Sequence, residues 1–143
     1  MGSPITYDQN DLHNMALCMW KESRGDGDQG MLATGNIIRN RVGFPGFSKT
    51  VHDVIYGKNQ FSSMSVANDP EFNLEPELGD TDFAYCLGSA AAILEGRLLD
   101  NTLGAHYYDN PKTATSGWFQ TAIVGNPTEH PFLIQIGRQR FYR

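Results

Sequence analysis

Apolar residues recur at spacings of three and four in "TYDQNDLHNMALCMWKES", where Leu12, Met15, Ala16, Met19 and Trp20 share one helical face. Thr6 and Gln9 have capping-box spacing and Gly25 can stop the helix, so Glu22 falls in its last turn. A second helix is predicted over "DQGMLATGNIIRNRV", with Asp28 as N-cap and Met31, Leu32, Gly35, Ile38 and Val42 near one face. Gly35 costs about 1 kcal/mol of helix propensity relative to alanine, which points to close packing there. After the turn "GFPGF", Ser48 caps a short helix "KTVHDVIY" ending at Gly57. Residues 58–80 carry no sustained period and two prolines, and they read as a long loop of the kind that often carries function.

Asp80 or Thr81 can cap a further helix, "DFAYCLGSAAAILEG", with a stripe of Phe83, Leu87, Ala90, Ala91 and Leu94 and a stop at Gly96. Beyond it the pattern changes to aromatic and β-branched pieces between turn residues: "GAHYYDNP", "SGWFQTAIV" and "FLIQIGRQRFY". Helices followed by a small antiparallel sheet or hairpin from the C-terminal third make an α+β arrangement, mainly helical. Residues 1–6 read as a vector-derived remnant or linker, and residues 7–143 as one domain.

A net charge of −5, with 16 acidic against 11 basic residues, supplies no overall field for nucleic acid or an anionic membrane. No apolar run approaches the roughly 18 to 20 residues of a membrane span. Arg138, Arg140 and Arg143 form a local basic cluster that reads as a solvated edge. Cys18 and Cys86 fit neither a zinc pattern nor a disulfide framework and read as buried thiols, with one bridge open to them if their geometry allows it.

Glu22 is the residue with chemical potential. The negative end of the helix dipole disfavours its ionisation, and packing against Trp20 or Phe61 would add desolvation in the same direction, whereas an approaching Arg24 would oppose both. A carboxyl still protonated near neutral pH can protonate a leaving oxygen. Position alone does not establish this, since a glutamate in a last helical turn is usually a solvated surface group.

Its downstream company is more specific. "WKESRGD", "GMLATGNIIRNRV", "FSKTVHDVIYGKNQFS", "GAHYYDNP" and "IGRQRFY" follow one another from about residue 12 to 142. In that order they resemble the segments of the cell wall hydrolase family of the spore cortex-lytic enzyme (SleB-like) type, where "Y-G-E-A-R-G-E" precedes a helix ending "N-R-V". The resemblance implies a fold related to lysozyme and the lytic transglycosylases, with Glu22 in the position of the essential acid. It also implies peptidoglycan glycan strands as substrate, cleavage between N-acetylmuramic acid and N-acetylglucosamine, and a place of action in the bacterial cell envelope.

Gln60, Phe61 and Ser62 match the family's "Q-F-S" and are candidate substrate contacts, although Phe61 can equally be core. "HYYDNP" adds Tyr107, Tyr108 and Asn110; the two tyrosines face opposite ways on a strand, so only one is expected to touch substrate. Asn40 and Arg41 are read as structural, and Trp118 as either a sugar platform or core. Lys21, Ser23 and Asp26 replace a glycine, an alanine and a second glutamate of the family segment. Thr34, His106 and Asp109 also depart from its pattern.

One acid suffices for a lytic transglycosylase, because the muramic 6-hydroxyl is the nucleophile and leaves a 1,6-anhydro end. A hydrolytic muramidase needs a second carboxylate, for which Asp26, Asp28 and Asp109 are available. The competing classes are a Cys/His amidase built on Cys18 or Cys86, a metal-dependent hydrolase, and a non-catalytic wall-binding module. The glycosidic reading calls for no cofactor and no metal, and His13, His52, His106 and His130 have no metal-ligand spacing. A monomer is expected; an immunity or delivery partner has no supporting feature.

Overall fold

The computed structural model describes residues 3–58, 60–113 and 116–143. Met1 and Gly2, the start of the segment read as a remnant, lie outside them. The helices are α1 (Gln9–Ser23), α2 (Gly27–Arg41), α3 (Val51–Tyr56), α4 (Ser62–Ser65), α5 (Thr81–Leu94) and α6 (Gly117–Phe119). The strands are β1 (Tyr107–Asp109), β2 (Phe132–Ile136) and β3 (Gln139–Tyr142), forming one antiparallel sheet in the order β1-β3-β2. This is the mainly helical α+β arrangement with a small sheet that the patterning predicts.

Helix α1 is the centre. It packs against both α2 and α5, and six consecutive residues from Met15 to Trp20 are buried. Gly35 is where α2 comes closest: a Cβ there would stand 2.8 Å from Ile93 Cδ1 and 3.0 Å from Met19 Cε. The close packing inferred from that glycine is therefore between α2, α1 and α5. Cys18 and Cys86 are both free and fully buried, with Cys86 Sγ 3.4 Å from Met31 Sδ, so they are packing residues and not a bridge.

Several caps sit two residues from their predicted positions. Asp8, not Thr6, caps α1 in a reciprocal box with Asp11, each carboxylate accepting a backbone N–H. Helix α2 begins at Gly27, so Asp28 lies in its first turn instead of capping it. Thr50 replaces Ser48 as the cap of α3. Asp80 caps α5 as expected and also accepts from the Trp20 indole at 3.2 Å.

Residues 117–124 correct a larger expectation. "GWFQTAIV" has strand-like composition, yet α6 runs on into a π-helical turn over Gln120–Val124, with the Ser116 hydroxyl accepting from Phe119 N–H. Here a serine cap followed by a glycine-led turn outweighs aromatic and β-branched content.

Replacing Gly35 by valine is expected to cost about 1 to 3 kcal/mol, because its branches must displace Ile93 or Met19. Urea unfolding checks this, and an unchanged midpoint would show that the interface of α1, α2 and α5 can yield.

Candidate active site

Glu22 sits in the last turn of α1, where that helix meets the loop carrying α4 and the edge of β1. Ser63 Oγ donates to its Oε2 at 2.5 Å and Tyr108 Oη donates to its Oε1 at 2.9 Å. Burial pushes the Glu22 carboxyl above its usual range, and the charge of Asp69 adds to that; the bonds from Ser63 and Tyr108 pull the other way without cancelling it. Arg24 does not reach Glu22. Its guanidinium lies 3.9 Å from the Trp20 ring and pairs with Glu71 at 2.5 Å. The opposition expected from Arg24 is thus spent elsewhere.

The tyrosine that holds the acid is itself fixed by the sheet. Tyr108 pairs with Phe141 across β1 and β3, their rings stacked at 5.6 Å. Burial and the neighbouring Glu22 raise the phenol pKa well above its ordinary value, so Tyr108 is a neutral donor.

Three concavities share lining residues and form one trough past Glu22. The largest, about 590 Å³, is walled by Phe47, Tyr107, Tyr108, Trp118 and Phe119, with Arg41 and Gln60 at its base. Gln60 also borders the middle cavity of about 350 Å³, which contains Glu22, Ser62 and Ser65. Beyond Glu22 lies a third, of about 300 Å³, bordered by Lys21, Arg24, Gly25, Glu71 and Arg138. The aromatic arm and the charged arm thus meet at the acid.

The expected site residues divide accordingly. Gln60, Ser62, Tyr107 and Tyr108 all border the trough, so both tyrosines reach it and not one alone. Phe61 is 0% exposed and belongs to the core, where its ring packs under the Arg41 guanidinium; the sugar contact expected of it has no surface to act through. Asn110 is drawn into a turn, its side-chain oxygen accepting from the Lys112 N–H. Trp118 is 63% exposed, which removes its core alternative. Arg41 is structural, donating to the His106 carbonyl and to Gln60 Oε1, each at 2.8 Å. Asn40 anchors the 100–105 loop through Asp100 and the Ala105 carbonyl.

Ser63 and Asp69 were not marked by sequence. Ser63 directly follows the "Q-F-S" segment, but no period distinguishes it from its serine neighbours. The second-acid candidates do not contact Glu22: Asp26 is buried beneath Arg138, Asp28 is exposed, and Asp109 accepts from Gln120. Burial raises the Cys18 thiol well above its ordinary range and the Cys86 thiol to about 12, which leaves neither as a nucleophile at neutral pH. Among the described residues no three His, Cys, Asp or Glu side chains gather into a metal-binding cluster, and no helix is long and apolar enough to cross a membrane.

A desolvated acid at a helix end, opening on an aromatic-walled trough, has the chemistry that glycosidic cleavage calls for. The family model for cell wall hydrolases matches residues 25–142, beginning just after Glu22. The spore cortex-lytic enzyme of Oceanobacillus iheyensis is 34% identical over 139 residues, which is 96% of this chain and 43% of that protein. The one from Bacillus cereus is 35% identical over 96% of this chain and 46% of its own length. Among solved structures, the catalytic domain of the germination-specific lytic transglycosylase SleB from Bacillus anthracis superimposes with a TM-score of 0.74 at 31% identity, covering 98% of this chain and 99% of that domain. The catalytic domain of the Bacillus cereus SleB protein gives 0.73 at 31% identity, covering 99% and 95%. The chain belongs to the cell wall hydrolase family and has the fold of the SleB catalytic domains. It spans less than half the length of the spore cortex-lytic enzymes named here.

Because the folded pKa of Glu22 is raised above its ordinary 4.5, the stability it contributes is complete below that value and is lost as pH rises through the folded pKa. Glu22→Gln removes this loss. Thermal melts from about pH 4 to about pH 8 should therefore show the variant gaining on wild type as pH rises; a constant difference would mean that Glu22 titrates as an ordinary surface carboxyl.

Proposed function

We propose that this chain cleaves the glycan strands of peptidoglycan between N-acetylmuramic acid and N-acetylglucosamine as a lytic transglycosylase, acting as a monomer in the bacterial cell envelope. The observation that carries the proposal is Glu22 itself: a carboxyl whose pKa is raised by burial, oriented by Ser63 and Tyr108, at the junction of two arms of a trough. The family membership and the lytic transglycosylase name of the Bacillus anthracis structural neighbour support the same reading.

Protonated Glu22 donates to the glycosidic oxygen, and the bond from that oxygen to muramic C1 breaks with positive charge developing on the sugar ring. The resulting carboxylate then accepts the proton of the 6-hydroxyl on the same muramic residue as its oxygen bonds to C1. The anhydro ring closes and Glu22 is again protonated. Ser63 and Tyr108 favour the carboxylate, so they stabilise Glu22 in the interval between its two proton transfers. The aromatic arm offers Trp118 and Tyr107 as faces for sugar rings.

Hydrolysis by a two-carboxylate route is the second reading. Of the carboxylates outside α1, Asp69 is the one whose charge acts on Glu22, and it is held by Ser62 Oγ at 2.5 Å and the Glu71 N–H at 2.9 Å.

Digestion of purified peptidoglycan followed by mass spectrometry of the released fragments separates these routes. Wild type is expected to yield anhydro-ended muropeptides, and Glu22→Gln to lower the rate by about 10² to 10⁴-fold. Reducing-ended products would transfer attention to Asp69, and equal digestion by both proteins would sink the role given to Glu22. Trp118→Ala should raise KM several-fold with kcat little changed, since it removes binding surface remote from the acid.

A further inference from the structure

The charged arm of the trough contains three cations, of which Arg138 is the most exposed. Lys21 is buried, its ammonium donating to the carbonyls of Ser63 at 3.4 Å and Phe72 at 2.8 Å. Arg24 is half-buried over the Trp20 ring, and its Nη1 donates to both Glu71 and the Trp20 carbonyl. Arg138 differs. Its Nε donates to Asp26 Oδ1 at 2.8 Å, while its side chain is 63% exposed and no bond from Nη1 or Nη2 is formed among the described residues.

The carboxylate beneath it is unusually enclosed. The Asp26 side chain is only 2% exposed, and its Oδ2 is buried without a partner among the described residues. Three glycines make room for the pair. A Cβ on Gly30 would stand 2.4 Å from Asp26 Cβ, one on Gly137 would stand 2.9 Å from Asp26 Oδ1, and one on Gly25 would stand 3.0 Å from Arg138 Nη2. The guanidinium is thus anchored through Nε over the chain that follows Glu22, and its two terminal nitrogens remain available to an acceptor. A planar cation held in this way is suited to a carboxylate.

We infer that Arg138 is a specificity residue that binds a carboxylate of the peptide stem carried by the muramic acid beside Glu22. This rests on the proposed function. The aromatic arm then takes sugar rings, and the arm that holds Arg138 reads whether the strand bears a stem. Muramic residues that lack a stem carboxylate, such as the lactam form, have nothing to offer Arg138, so the chain should favour stem-bearing strands.

The test compares three substrates: intact peptidoglycan strands, the same strands stripped of stems by an amidase so that only the lactyl carboxylate remains, and strands whose carboxyls have been coupled to methylamine. Wild type, Arg138→Gln and Arg138→Lys are assayed on each, with folding checked by thermal melting. Wild type is expected to show a KM about tenfold lower on intact strands than on either of the others. Arg138→Gln should abolish that difference while leaving kcat within about twofold, and Arg138→Lys, which keeps the charge and secures the measurement if the glutamine variant does not fold, should retain part of it. Equal losses on all three substrates would reduce Arg138 to a structural tie between the β2–β3 turn and the turn that joins α1 to α2. A low wild-type KM that survives stripping but not methylamidation would mean that any carboxylate near the muramic residue, the lactyl one included, serves Arg138, and would overturn the stem as what it reads. If wild type cleaved none of the three, the proposed function would fall and this inference with it, whereas cleavage without discrimination would remove the inference alone.

Discussion

Helix α1 has no solvent side through most of its length. With α2 against it on one flank and α5 on another, Met15 through Trp20 are buried in succession, which a helix at the surface of a core does not do. A carboxyl carried on the last turn of such a helix leaves the core without fully entering water. Desolvation is therefore the leading influence on Glu22, and it is imposed by the helix packing, not by any single neighbour. Everything polar around the acid can be understood as managing that constraint. Ser63 and Tyr108 each supply one donor, so the charged form is tolerable during a reaction while burial still favours the neutral one.

The same last turn also organises the long loop that follows α3. Trp20 donates to Asp80, Lys21 to the carbonyls of Ser63 and Phe72, and Arg24 to Glu71. Residues 20 to 24, at the end of one helix, thus fasten the loop at Ser63, the residue that touches Glu22, and at three points beyond it. A loop without its own periodicity becomes a defined wall because its backbone carbonyls are used as acceptors by buried or half-buried cations. Fixing Ser63 in this way matters more than fixing the loop in general, since its hydroxyl has to meet one particular oxygen.

How far this was legible in the sequence follows from the kind of signal each feature leaves. Helical periodicity located α1, α2 and α5, because their buried faces extend over several turns. Caps were misplaced by two residues at Asp8, Asp26 and Thr50, because short polar residues crowd each helix start and only backbone geometry selects among them. The helical turn at 117–124 was missed because composition carried the strand assignment, while the deciding fact is the sheet order β1-β3-β2, which gives that segment no strand of its own. Glu22 was legible through its helix position together with the family resemblance. Phe61 was open between core and cleft because an aromatic in a motif does not reveal which way it faces, and the Asp26 beneath Arg138 left no signal because an arginine in a basic tail looks the same whether or not a buried aspartate lies under it.

The departures from the family segments are coupled to one another, and this bears on what they do. Ser23 and Thr34, both departures, share a buried hydrogen bond of 2.5 Å between α1 and α2. Lys21, where the family segment has glycine, finds two carbonyl partners. His106, which interrupts the apolar strand pattern, stacks on Phe44 at 3.7 Å, and burial beside Arg41 lowers its pKa and keeps it neutral there. Asp26, shorter than the glutamate it replaces, fits a space bounded by glycines. Ser23, Thr34 and Lys21 are thus buried with hydrogen-bond partners, which limits the cost of placing polar groups inside the fold. None of these groups bonds to Glu22. The divergence therefore lies in how the acid's supports are held and in the charged arm beside it, and that is where a difference in strand preference between this chain and its relatives would arise.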